Sequence, residues 1–395
     1  MHTSASSSDV RVLQYFGADQ QDLGQLLEYV QNPMIASSLP ARIRLPLEDE
    51  MFAAAWREYA AQAATEGSEP VLKKRLIQLN FPIQDGISAT PEYQNAVKKG
   101  QLPGDAECRV GTSFTAPNQI HLDIHESPAG TIGVITAAER QDFIALVQAL
   151  TAHNEPIPVP DSLGAFMVSG YNNWDRIRAY RRQWEEGRKA ADELAWLLQF
   201  QSLKQRKELY QDRFILLSSG AYSGINARKL GLPTAKWTEQ SLTIRLEHEC
   251  AHYFTRRVFA SMRRNIWDEI LADYMGITAA RGSFSSDLFL LFLGLEDYPA
   301  YRSGGRFEKY IPEPLSKPAC SVLQAMTCAA AEHLQLLDRT FGAAQRTSQD
   351  RSLMLLALCL TGWTALTAPD YRENFKHAHH TVCSRLANAA KIQKE

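Results

Sequence analysis

Residues 246–254, LEHECAHYF, place two histidines four apart, with a glutamate directly after the first. On an α-helix such positions lie about 40° apart around the axis and one turn apart along it. His248 and His252 would therefore present their rings on one face. Two imidazoles so placed can reach a single ion, at about 2.0–2.1 Å each if it is zinc. Glu249 then falls beside the ion, where its carboxylate can take a proton from a water rather than act as a third ligand. The plainer alternative is a half-buried helix whose histidines are satisfied by ordinary hydrogen bonds, and the motif alone leaves that open. Leu246, Cys250, Ala251, Tyr253 and Phe254 around it are uncharged, which suits a helix lying behind a cleft.

The following helical stretch, NIWDEILADYMGI (265–277), adds Glu269 and Asp273, again four apart and on one face. A solvated acidic face is a poor explanation, because Trp267, Ile270, Leu271, Tyr274 and Met275 make this a core helix. A catalytic zinc usually has three protein ligands and one open position. Glu269 would be the third ligand, and Asp273 is placed to accept the free ring N–H of a ligand histidine. The turn SMRRN (261–265) has a length that lets the two helices pack side by side.

HECAH followed by DEILADYMG resembles the gluzincin, thermolysin-like zinc metallopeptidases, in which H-E-x-x-H on one helix is completed by E-x-x-x-D on the next. The resemblance covers about residues 240–282. It implies His248, His252 and Glu269 as zinc ligands, Glu249 as general base and Asp273 as the outer carboxylate. The interval from His252 to Glu269 is a few residues shorter than is usual in that group, so Asp268 stands as a rival ligand.

Other segments offer supporting chemistry. The run LEDYPAYRSGGRFEKYIP (295–312) gathers Tyr298, Tyr301, Arg302, Gly304, Gly305, Arg306 and Tyr310. Arg302 and Arg306 would grip a substrate carboxylate and Tyr301 would stabilise an oxyanion, against the alternative of a surface loop with a Gly-Gly turn. FILLSSGAYSG (214–224) is expected as an edge strand for substrate, with Gly220, Tyr222 and Ser223 lining a cleft, or else as an ordinary strand-to-loop transition. His121, Asp123 and His125 share one face of a predicted strand, as a second metal site would need, but no further ligand is evident in the sequence, which favours a solvated strand face. KHAHH (376–380) reads as a helix surface.

Positioning such a centre requires a scaffold, and the pattern gives an α+β one: mainly helical, with one small mixed β-sheet and a zincin-like metal site on two adjacent helices. Residues 18–31, 49–65 and PVLKKRLIQL (70–79) have helical apolar spacing. Residues 108–136 alternate and suggest two or three strands. ERQDFIALVQALTAH (139–153) is a helix, AFMVSG (165–170) and RFILLSSG (213–220) are short buried strands, and 173–210 is polar and helical. From about residue 238 the chain is helical to its end, with Thr238 or Ser241 as the cap of the histidine helix. The expected division is a disordered tail (1–10), an N-terminal helical region (11–100), an α+β core with the metal site (101–282) and a C-terminal helical region (283–395).

At 395 residues the chain can bury a sizeable core, and a net charge of −2 gives no electrostatic case for nucleic acid or an acidic membrane. The basic run RIRAYRRQ (176–183) reads as a solvated helix face. Six cysteines without a C-x-x-C pair are expected to be free thiols of a cytoplasmic protein, and the longest apolar run is far short of a membrane span.

These features lead to a zinc hydrolase that cleaves an amide or peptide bond, acting on a peptide or small amide. Two alternatives stand beside it. A His-His-carboxylate set also serves Fe(II) oxygenases that use 2-oxoglutarate, and other metal-dependent tailoring enzymes. A zincin scaffold could also bind a partner without chemistry.

Overall fold

The computed structural model describes residues 7–40, 43–102, 110–186, 193–260, 265–312, 315–342 and 347–391. Its elements make an α+β protein, mainly helical, with one four-stranded mixed sheet. Backbone contacts divide the chain into two units, one of residues 49–126 and 130–220, the other of residues 1–48, 127–129 and 221–395.

The first unit carries the sheet: β1 (Ile120–Ser127), β2 (Gly130–Ala137), β3 (Ala165–Asn172) and β4 (Gln211–Ser218), in the order β1-β2-β4-β3. β4 runs parallel to β2 and antiparallel to β3. The expected edge strand FILLSSG is therefore interior, and the edges are β1 and β3. The cause is legible in the residues. Phe214, Ile215, Leu216 and Leu217 form an unbroken apolar run, all buried, which suits a strand flanked on both sides and covered on both faces. Edge strand β1 alternates instead, with His121 and Asp123 exposed and Ile120 and Leu122 buried.

Helices pack on this sheet. Trp56, from helix Ala53–Glu66, is fully buried with its ring 4.7 Å from that of Phe214. Gly133 on β2 makes that approach feasible, because a Cβ there would sit 2.1 Å from the Trp56 ring. The indole N–H donates to Asp212 Oδ2 at 2.9 Å. Asp212 also pairs at 2.5 Å with Arg176, which is buried and donates to the carbonyls of Glu208 and Gln211. Arg176 thus departs from the solvated face expected of RIRAYRRQ. It leaves solvent because a buried carboxylate and two carbonyls satisfy its donors. The polar region 173–210 forms helices Trp174–Glu186 and Glu193–Lys204. Residues 103–109 lie outside the described residues, among them Cys108 and Arg109 at the start of the expected strand region.

The second unit is helical. It begins with a helix at Ser7–Tyr15, so the polar start expected to be disordered through residue 10 is helical from Ser7. The histidine helix spans Thr234–Phe259 and the acidic helix Ile266–Arg281. Helices Ser286–Leu293, Lys317–Phe341, Ser348–Thr361 and Tyr371–Lys391 complete the framework used below. The histidine helix starts earlier than its cap candidates imply. Gly231 is left-handed and Pro233 occupies the cap position, so the chain turns into the helix there. Thr238 and Ser241 lie inside it, and Ser241 is buried with its hydroxyl accepting the Tyr222 backbone N–H at 3.0 Å. Among the described residues, no helix is long and apolar enough to cross a membrane.

Candidate metal centre

The histidine and acidic helices pack together along the faces that carry the site. Gly276 sets their spacing. A Cβ at that position would lie 2.6 Å from the Ile244 carbonyl oxygen, a backbone atom that cannot swing aside. Gly276 is three residues past Asp273, and Ile244 four before His248, so the closest approach lies beside the site. Gly276→Ala is expected to push the helices apart, cost about 1–3 kcal/mol of stability and weaken metal binding. Thermal melts with and without zinc, together with chelator competition, measure both effects. The connecting residues 261–264 of SMRRN lie outside the described residues.

The acidic helix is capped by Asn265, whose side chain accepts the Asp268 backbone N–H at 3.1 Å. From that start Glu269 meets the histidines, and Asp268 does not join the ligand group. His248 Nε2 and His252 Nε2 are 3.1 Å apart. Glu269 Oε2 is 3.5 Å from His248 Nε2, and its Oε1 is 3.4 Å from His252 Nε2. Ligand atoms of a tetrahedral zinc at about 2.0–2.1 Å lie about 3.3 Å from one another. The donor set therefore fits such an ion in both element type and spacing. Among the described residues, it is the only group of three or more His, Cys, Asp or Glu side chains placed to hold a metal.

Behind His248 lies Asp273, fully buried. Its Oδ1 is 2.8 Å from His248 Nδ1 and accepts the Tyr222 hydroxyl proton at 2.5 Å. Its Oδ2 accepts from Arg306 at 2.7 Å. Burial works against the carboxylate, but Arg306 and His248 overcome it and hold Asp273 below the usual range. Glu269 is held far below its usual range despite burial, by His248, His252 and Arg306.

Arg306 reaches the site through tight backbone packing. A Cβ on Gly305 would lie 2.3 Å from the Leu293 carbonyl oxygen, so only glycine lets this loop lie on the end of helix Ser286–Leu293. The next residue is thereby aimed inward. Arg306 Nη1 donates to Ser223 Oγ at 3.1 Å, and Nη2 lies 3.5 Å from Glu269.

The other loop candidates face elsewhere. Arg302 donates to Glu296 and to the Leu291 carbonyl, both at 2.6 Å, and the Tyr301 hydroxyl donates to the Gly305 carbonyl at 2.8 Å. Neither meets the ligand group, because each is consumed in bracing the loop. Tyr298 is exposed. Tyr310 is the loop tyrosine that lies beside Arg306, its ring 6.0 Å from that guanidinium, and burial pushes its hydroxyl far above a normal phenol.

A family model matches residues 11–370, nearly the whole chain. The chain belongs to the DUF7005 family. Its description is a family of unknown function. No curated protein and no solved structure matches the chain.

In this DUF7005 chain the Nε2 atoms of His248 and His252 face one another. Burial pulls His252 down, but the hydrogen bond and charge of Glu269, with Glu249 and Asp268 adding theirs, raise it to about 9. Glu249 is half-buried and precedes His252 by three residues on the same helix. A folded-state value above the unfolded 6.5 stabilises the zinc-free protein most fully below pH 6.5 and loses that effect as pH rises through about 9. Melting of the chelator-treated protein is expected to fall across that window. Zinc affinity is expected to rise over the same window, because the metal must displace that proton.

His121, Asp123 and His125 join no metal-binding group among the described residues. In KHAHH, Lys376, His377 and His380 are exposed, as expected of a helix surface. The described cysteines are free, with Cys250 and Cys359 buried.

Proposed function

We propose that this chain is a zinc-dependent hydrolase of an amide or peptide bond, built on a gluzincin-like pair of helices. The observation that carries the reading is the spacing of His248 Nε2, His252 Nε2 and the Glu269 carboxylate, at 3.1 to 3.5 Å. These three residues would hold the ion. Bound zinc supplies an acidified water and polarises the scissile carbonyl. Glu249, next to His248 in the chain and outside the ligand group, would take the water proton on its carboxylate and deliver it to the leaving nitrogen. Asp273 keeps the His248 ring oriented through Nδ1.

The arrangement supports hydrolysis over Fe(II) and 2-oxoglutarate chemistry. The arginines needed to clamp that co-substrate are already engaged, Arg302 by Glu296 and Arg306 by Asp273. A base beside the ligand set also argues against a silent scaffold. The substrate class is a peptide or small amide, and free thiols fit a cytoplasmic setting.

The test is amine release from a mixed panel of peptides and small amides by the zinc-loaded protein. Release should stop on chelation and return with zinc. Turnover of 2-oxoglutarate by the iron-loaded protein, with no amine release from the zinc form, would overturn the reading.

A further inference from the structure

Tyr222 is a buried phenol that the proposed reaction does not use. Two guanidinium groups lie over its ring, those of Arg306 at 5.0 Å and Arg245 at 5.7 Å, with Phe292 edge-on at 4.8 Å. Its backbone N–H is tied to Ser241, so the hydroxyl has a fixed position. That hydroxyl carries one proton and has two acceptors in reach, Asp273 Oδ1 at 2.5 Å and His248 Nδ1 at 3.0 Å.

The choice between them matters for His248. If Tyr222 donates to Asp273, the His248 Nδ1–H does so too, and the Nε2 lone pair faces His252 and Glu269. If Tyr222 donates to Nδ1, the ring proton moves to Nε2 and blocks the position a metal needs. The second arrangement sets the Nδ1 lone pair against Asp273 Oδ1 at 2.8 Å, so Asp273 would have to turn away. Arg306 prevents that turn. Its Nη2 holds Asp273 Oδ2 at 2.7 Å and its Nη1 holds Ser223, while its buried Nε has no hydrogen-bond partner. The guanidinium is committed to Asp273 even at the cost of leaving one of its own donors unpaired.

We infer that Arg306 and Tyr222 are positioning residues that set the tautomer of His248: Arg306 by anchoring Asp273, and Tyr222 as a donor that serves Asp273 while it is anchored and competes for Nδ1 when it is not. The inference rests on the metal-site reading above, and it makes a sign prediction that a purely structural role does not. Arg306→Met should weaken zinc and cobalt binding about 10–100-fold, because Asp273 is free to rotate and Tyr222 can protonate the wrong side. Arg306→Lys, which keeps a charged donor for Oδ2, should stay within a few-fold of the wild type. Adding Tyr222→Phe to Arg306→Met removes the rival donor and should recover about tenfold or more of the lost affinity.

Affinities are read by competition with a chromophoric chelator on variants shown to be folded by circular dichroism. Nitrogen-15 NMR of the histidine rings in zinc-free protein reads the tautomer directly. His248 should carry its proton on Nδ1 in the wild type and on Nε2 in Arg306→Met. A double variant that binds no tighter than Arg306→Met, or a His248 tautomer unchanged in Arg306→Met, overturns the inference. A wild type that binds no metal overturns the metal-site reading instead, and the NMR result still decides the tautomer assignment.

Discussion

Glu249→Gln is expected to retain one metal ion per chain and to lose turnover by about 10²–10⁴-fold, the range typical of removing a general acid–base. The amide keeps the size and shape of the carboxylate but cannot take a proton. Metal content should survive, because Glu249 lies outside the group formed by His248, His252 and Glu269. Its half-buried side chain also leaves the helix packing intact when replaced by an isostere. Metal analysis and amine-release kinetics on one preparation check both halves. Turnover retained in the variant would remove Glu249 from the mechanism, and metal lost with the activity would make it a ligand.

Glu269→Gln should behave in the opposite way, losing metal first and activity as a consequence. The Glu269 carboxylate meets both histidines, and it is the anion that offsets their charge in a buried pocket. Replacing it by an amide removes a ligand charge, and the affinity loss should exceed the 10–100-fold typical of an outer hydrogen-bonding partner. The zinc-free variant should also lose the proton on His252 at lower pH, because Glu269 is the main group holding that proton in place. Isothermal titration with zinc and a pH series of melts measure the two effects. Zinc affinity unchanged from the wild type would return the third position to Asp268.

Much of the centre was legible because it repeats with the period of a helix. His248 and His252, then Glu269 and Asp273, are each spaced by four, and that spacing survives whatever the rest of the fold does. The helical balance and the small sheet were legible for the same reason, through periodicity. Neighbourhood information was what the sequence lacked. Arg306 and Arg302 are four apart in one loop, yet one pairs with Asp273 and the other with Glu296. The difference comes from Gly305 fitting against the Leu293 carbonyl, a contact that residue type does not announce.

Tyr222 shows another limit. It sits 26 residues before His248, on a loop whose route is set by Ser241. Its cluster with Ser223 hinted at a cleft, but nothing in the sequence pointed to Asp273 as its partner. Strand β4 was readable as buried and misread as an edge, since an apolar run states burial more clearly than it states which neighbours supply it.

The proposed chemistry depends on His248, His252 and Glu269 together holding an ion. Anomalous scattering from a zinc-soaked crystal, recorded on both sides of the zinc absorption edge, addresses it without any assumption about substrate. One peak about 2.0–2.2 Å from His248 Nε2, His252 Nε2 and a Glu269 oxygen is the predicted result. A saturated soak with no peak there, or with the peak held by other residues, would contradict it.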